Sequence, residues 1–181
     1  MSDKRFFDKL AVFDLDDTLY DGNSHLLVLE AYYDTKLFRG LFFRALWKLL
    51  PSAQVKILWV LYNKIPNDYI INFEIKFKEK IIRILNKKKK EQFKILIVST
   101  APNKLIEVAA NKLNIEWFHA EKNGKLEVIK KEFMYDYLFV CTDNETDLDI
   151  LRVANSHVIC CKKTHREFFK RNLDAPHFWE D

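Results

Sequence analysis

Apolar positions along the chain gather into five short runs. Leu10-Ala11-Val12-Phe13 ends abruptly in acids and predicts a buried parallel strand. Ile95-Leu96-Ile97-Val98 predicts a second, ending in Ser99-Thr100. Further strands are expected over 115–119, over 137–141 just before Thr142-Asp143, and over 157–161. Helical spacing fills the gaps: 104–113 behind Pro102, 125–133 behind the Asn123-Gly124 turn, 148–154, and 164–171. The turn Asp21-Gly22-Asn23-Ser24 carries helix-capping residues and opens the apolar-rich stretch 25–33. From there to about Asn86 the pattern is helical and poor in strand signals, with Pro51 and Pro66 breaking it into segments.

Strands that alternate with helices predict an α/β fold, a parallel sheet covered by helices on both faces in three layers. The long helical stretch interrupts that alternation after the first strand. The expected division is therefore a core over residues 1–20 and 88–181 and an inserted α-helical cap over 21–87. In open parallel sheets ligands gather beyond the carboxyl ends of the strands. Three of the predicted strands end there in an acid or a hydroxyl: Asp14, Ser99 and Asp143.

Composition narrows the choice of chemistry. A chain of 181 residues that is 49% hydrophobic can bury one core plus a modest insertion. A net charge of +4 calls for no nucleic-acid partner, and none is expected. The run Lys87 to Lys90 reads as a solvated loop or helix end. With only three glycines, neither G-x-x-x-x-G-K nor G-x-G-x-x-G can be written, so phosphate chemistry would need another device. Cys141, Cys160 and Cys161 sit in apolar runs without a C-x-x-C pair. They read as buried free thiols, which suits a reducing, cytoplasmic compartment. The polar, charged first nine residues predict no secretory leader.

Asp14 and Asp16 stand two residues apart just past the first strand. One carboxylate can attack phosphorus while the other protonates the leaving oxygen and later activates water. Asp14, at the strand end, is the expected nucleophile; Asp16 is the expected acid and base; Asp17 is expected only to turn the chain. Thr18 can orient the loop or a phosphate. Asp143 and Asp147 follow the fourth strand, so four carboxylates would surround one crevice and raise one another's pKa. A hard divalent cation relieves this, and oxygen-only donors suit magnesium. Asp14, Asp143 and the backbone carbonyl of Asp16 are the expected ligands, with Asp147 binding directly, through water, or from behind. Ser99, with Thr100 beside it, can hold a phosphoryl oxygen, although Ser99 also suits a helix-capping role. A lysine should add positive charge; Lys125 opens the helix before the Asp143 strand, with Lys122, Lys130 and Lys131 as alternatives.

Phe13-Asp14-Leu15-Asp16-Asp17-Thr18-Leu19 resembles the first motif of the haloacid dehalogenase superfamily, acid-x-acid-x-threonine after a hydrophobic strand. Ile97-Val98-Ser99 resembles its second motif, Lys125 its third, and Thr142-Asp143 to Asp147 its fourth. Thr142 stands where members of the superfamily often have glycine. The resemblance implies a Rossmann-like core and magnesium-dependent hydrolysis of a phosphomonoester through an aspartyl-phosphate. Dehalogenase members lack the second acid, so Asp16 implies phosphoryl transfer. The inserted cap resembles that of the phosphoserine-phosphatase-like branch.

Rival readings share these residues. A phosphomutase or phosphotransferase would pass the phosphoryl group to a second hydroxyl. A phospho-accepting switch would not turn over, but receivers place their aspartate on a later strand. A membrane-surface adaptor on a retired fold would not need the intact acids. Lys36, Arg39, Arg44, Lys48, Lys56 and Lys64 interrupt the apolar insert, so no run reaches the roughly 18–20 residues of a spanning helix. The insert's Trp47, Trp59 and Tyr62 are expected to pack within the cap, and His25 to be structural. The basic, aromatic insert is also compatible with peripheral membrane contact. The substrate is thus a small phosphorylated metabolite or a lipid phosphate.

Overall fold

The computed structural model describes residues 4–36, 38 and 51–179, the side chains of 51–55 excepted. The five expected strands form one sheet: β1 (Arg5–Phe13), β2 (Lys94–Ser99), β3 (Glu116–His119), β4 (Phe133–Thr142) and β5 (Ser156–Ile159). Their order is β3-β2-β1-β4-β5, and every pairing is parallel. The chain runs outward from β1 to β3, then returns to the other side of β1. The reversal falls between β1 and β4, and in such sheets that crevice is where ligands bind.

Alternation along the strands builds the two faces. Ala11 and Phe13 of β1, Ile95 and Ile97 of β2, and Phe139 and Cys141 of β4 share one buried cluster. Ile81 and Leu85 of α4 (Glu79–Lys90) and Ile106, Ala109 and Ala110 of α5 (Asn103–Leu113) cover them. Leu10, Val12, Leu138 and Val140 face the other way, under α6 (Lys125–Glu132), α7 (Leu148–Leu151) and α8 (Arg166–Asn172). The result is the expected three-layer α/β fold. Helix α4 belongs to the covering layer although most of it precedes residue 88, where the core was expected to resume. Its Lys87–Lys90 run is the last turn, where cations favour the helix dipole.

Among the described residues, three further helices lie in the insert: α1 (Ser24–Tyr32), α2 (Pro51–Tyr62) and α3 (Asn67–Asn72). Asn23 caps α1, its side chain accepting from Leu26 N–H at 3.0 Å. Val28, Leu29, Leu58, Tyr62, Ile65 and Ile70 pack together and are joined by Leu105 from the first turn of α5. The insert is thereby seated near the carboxyl end of β2. Trp59 and Tyr62 meet His25 at tilted and edge-on angles, so these rings pack within the insert. The basic apolar stretch 37–50, apart from Phe38, lies outside the described residues, as does Trp47. Among the described residues no helix is long and apolar enough to cross a membrane.

Candidate active site

Beyond Phe13 the chain leaves the sheet but stays tied to it, because Asp14 N–H donates to Cys141 C=O at 2.9 Å. The next residues, Leu15–Leu19, make one wide turn closed by Tyr20 N–H to Leu15 C=O at 2.9 Å. Leu15 and Leu19 are buried and pin this turn to the core. Between them the backbone is not helical: Asp16 is extended and Asp17 is left-handed, at φ 50°. Asp17 N–H donates to Gly22 C=O at 3.1 Å, and the Lys78 ammonium donates to Asp17 C=O. Gly22 itself sits at φ +112°, which L side chains rarely adopt, and a Cβ there would meet Leu27 Cδ1 at 3.3 Å. Asp17 thus turns the chain, as its place in the sequence suggests.

The turn gives the two leading carboxylates different partners. Asp14 is paired with the Lys125 ammonium at 2.7 Å. Asp16 accepts the Ser24 N–H at 2.9 Å, so its carboxylate meets the first residue of α1. Burial pushes the Asp16 carboxyl up to about 7, against the Ser24 hydrogen bonds and helped by the charges of Asp14 and Asp17. Thr18 Oγ1 donates to Asp143 Oδ1 at 3.1 Å, which joins the β1 loop to the β4 loop. Asp143 is pushed up to about 7, by burial first and then by the Asp14 carboxylate.

Lys125 also reaches Asp147 Oδ2 at 2.7 Å, so one buried ammonium bridges two buried carboxylates. Desolvation alone would push its pKa down; Asp14 and Asp147 outweigh that and hold it above the ordinary value. Asp147 is raised to about 6 by burial, against the pull of Lys125. The same Oδ2 accepts from Thr142 Oγ1, and Thr142 Oγ1 in turn accepts Asn144 N–H at 3.1 Å. The residue standing in place of glycine therefore shapes the loop with its hydroxyl. Of the four lysines weighed from the sequence, Lys122, Lys130 and Lys131 are exposed and Lys125 is buried.

Ser99 is buried at the end of β2, and its Oγ accepts Ala101 N–H at 3.3 Å. That bond shapes the β2 to α5 loop and leaves the hydroxyl proton free to donate. Thr100 is exposed on the same loop. A cavity of about 350 Å³ opens beside Asp143, lined by Asp17, Lys78, Glu145, Cys160, Lys162 and His165 among others. Ser24, Lys78 and Thr142 were not singled out from the sequence as site residues. Ser24 and Thr142 carried only a capping or strand-end signal, and Lys78 carried none.

A divalent metal is implied by the donor chemistry, and the residues present fit one. Asp14 and Asp143 are close enough for the charge of the first to raise the second, and both offer hard oxygen. Among the described residues no group of three or more acidic, histidine or cysteine side chains is placed to hold a metal ion. Magnesium commonly takes one or two carboxylates and keeps several waters, so it needs none.

Comparison with known proteins follows the same lines. No curated protein matches the chain by sequence. A phosphoserine phosphatase solved as a phospho-aspartyl intermediate analogue has a similar structure, with TM-score 0.70 and 16% identity over 98% of this chain and 95% of that one. A phosphoserine phosphohydrolase-like protein from Francisella tularensis SCHU S4 gives TM-score 0.64 and 17% identity over 94% of both chains. A Bordetella pertussis Tohama I protein of unknown function gives 0.69 and 10% over 98% and 99%. These identities speak for a shared fold. The haloacid dehalogenase-like hydrolase family matches residues 11–152, well over half of the chain and all of the strand ends that carry Asp14, Ser99 and Asp143. The protein belongs to the haloacid dehalogenase-like hydrolase family.

Proposed function

We propose that the protein hydrolyses a small phosphomonoester through a covalent aspartyl-phosphate on Asp14, with magnesium as its metal. The observation that carries the reading is the split setting of two acids in one turn. Asp14 faces a buried ammonium, whereas Asp16 is held by the backbone N–H of the insert's first helix. One is placed to attack and the other to move a proton.

In the first step an Asp14 oxygen attacks phosphorus and the ester P–O bond breaks. The departing oxygen takes the proton of the Asp16 carboxyl, giving an alcohol and the aspartyl-phosphate. In the second step water attacks phosphorus and gives its proton to Asp16. The bond to Asp14 breaks, inorganic phosphate leaves, and both acids are restored. Lys125 and the Ser99 hydroxyl offset charge on the transferring group. Asp147 and Thr142 position Lys125, and Thr18 positions Asp143. Asp14, Asp143 and the backbone carbonyl of Asp16 would hold magnesium, which when bound supplies positive charge against the repulsion between phosphate and carboxylate.

The insert acts as the cap that excludes water and selects the leaving group. The packing of α4 against the sheet supports ending this cap before Glu79. The cavity of about 350 Å³ beside Asp143 supports a small substrate. The test is magnesium-dependent phosphate release from an aryl phosphate by the wild type and by Asp14→Asn. Release that needs magnesium and vanishes in the variant is expected. Equal release by both proteins would remove Asp14 from the mechanism.

A further inference from the structure

Cys141 and Cys160 are in direct contact, with their sulfurs 3.6 Å apart and both thiols free. The sheet produces this contact. Cys141 lies opposite Val158 in the β4–β5 register, so Cys160, two residues further on, points to the same face. Cys160 N–H donates to Thr142 C=O at 2.8 Å and keeps the two strand ends together. Cys161 packs into the cluster on the opposite face of the sheet, among Val140, Ile159 and Phe169. The two contacting thiols differ in access. Cys141 is buried, whereas Cys160 is half-buried and lines the cavity beside Asp143. Neither has a part in the proposed hydrolysis.

We propose that Cys141 and Cys160 are an oxidisable dithiol, and that closing it into a disulfide lowers hydrolysis; only the effect on hydrolysis rests on the phosphatase reading. The oxidant is a low-molecular-weight disulfide such as glutathione disulfide. The thiolate of Cys160, the accessible partner, attacks one sulfur of the oxidant and releases the first thiol. Cys141 then attacks the Cys160 sulfur, its proton passing to the departing glutathione sulfur, which leaves as the second thiol. Two cysteines are oxidised and one glutathione disulfide is reduced to two glutathiones.

The consequence for the site follows from what each cysteine is attached to. Cys141 C=O accepts the Asp14 N–H, and Thr142 and Asp143 come directly after Cys141. A disulfide needs its sulfurs at about 2.05 Å against the present 3.6 Å, so the two side chains must close by more than an ångström and pull on the strand ends that carry them. A displacement of about 1 Å in a catalytic array costs on the order of a hundredfold in rate.

The experiment treats the reduced protein with glutathione disulfide, then alkylates it under denaturing conditions and weighs it. The wild type, with its three cysteines, is expected to keep one alkylatable thiol, gain no glutathione, and recover both missing thiols on reduction. Cys161→Ser should behave in the same way, closing the pair and keeping none. Cys141→Ser should stop at a stable glutathione adduct, and Cys160→Ser should form no bond. Three alkylatable thiols in the treated wild type, or a lasting adduct in place of the bond, would overturn the dithiol. Phosphate release measured on the same samples, each against its own reduced state, is expected to fall at least tenfold in the wild type and return with reductant. A closed bond with unchanged release would overturn the effect on hydrolysis. A reduced wild type with no activity would count against the proposed function and leave the thiol result standing.

Discussion

Lys125 and Asp14 form an ion pair at 2.7 Å between side chains only 3% and 6% exposed, although the sequence holds them 111 positions apart. Asp147 completes the bridge at the same distance. Removing the ammonium leaves two buried carboxylates with no opposing charge, a change that costs about 3–5 kcal/mol for a buried pair. Lys125→Met is therefore expected to lose stability on that scale in urea denaturation and to release no phosphate. Asp147→Asn removes one of the two carboxylates and should cost less stability while still slowing turnover through a misplaced Lys125. Equal stability of Lys125→Met and wild type would show that the bridge does not hold the fold.

The hydrogen bond from Ser24 N–H to Asp16 makes the acid's position depend on the start of α1. If Asp16 protonates the leaving oxygen, its loss matters most when that oxygen is a poor leaving group. Asp16→Asn is expected to lower hydrolysis of alkyl phosphates by about 10²–10⁴-fold. Formation of the aspartyl-phosphate from an aryl phosphate should fall far less, since a phenolate leaves without a proton. Rapid-quench kinetics on the two substrate types measures the difference. An identical loss on both would remove Asp16 from leaving-group protonation.

Much of this site is legible in the sequence because strand ends are sharp there. Phe13 to Asp14, Val98 to Ser99 and Cys141 to Asp143 each pass from apolar to polar within one or two residues, and each falls at the carboxyl edge of the sheet. The amino ends are not legible. β1 begins at Arg5 and β4 at Phe133, where the two strands pair with each other beyond β2 and much of their length is exposed. Phe6-Phe7 and Phe133-Met134-Tyr135 are apolar there, but Asp8-Lys9 and Asp136 cut them off from the longer runs. Helix α4 shows a different limit: Ile81 and Leu85 declare a buried stripe, but periodicity does not say whether cap or sheet will cover it. The Lys78 to Asp17 contact spans 61 residues and rests on a left-handed backbone position, so nothing local announces it.

Burial and the neighbouring Asp14 charge crowd the Asp16 and Asp143 carboxyls and raise both. A bound divalent cation relieves that crowding, so magnesium should stabilise the folded protein. At a concentration a hundredfold above its dissociation constant the gain is about 2.7 kcal/mol. Thermal melts with and without magnesium should show the shift in wild type. Asp143→Asn should lose the shift while remaining at least as stable as the metal-free wild type. A shift that persists in Asp143→Asn would place the cation elsewhere.

Gly22 holds the turn that ties the Asp17 loop to the insert, at a backbone angle L residues avoid. Gly22→Ala should cost about 1 kcal/mol or more, from the strained angle and the approach to Leu27. Because the turn carries Asp17 and lies next to the Asp16–Ser24 contact, turnover should fall further than the stability loss alone explains. Paired measurement of the unfolding midpoint and kcat tests this, and a wild-type kcat would separate the turn from the chemistry.

His25 gives the protein an acid-sensitive point inside the insert. Its ring lies against Tyr62 and Trp59, and burial pushes its pKa down to about 4 from 6.5, only partly offset by a hydrogen bond with the Leu58 backbone. The folded state thus prefers the neutral ring, while the unfolded chain takes up a proton near 6.5. The stability this contributes is fully present above pH 6.5 and is lost as pH falls from 6.5 to about 4. Protonation would place a charge against buried Tyr62, one of the residues that seat the insert on Leu105. The wild type should lose on the order of 1–3 kcal/mol across that window, the linkage expected of such a shift. His25→Phe keeps an apolar ring and removes the titration, so its stability should fall less over the same interval. Urea denaturation at pH 7 and pH 4.5 on both proteins decides it. Parallel losses in the two would show that His25 is not the group that makes the insert sensitive to acid.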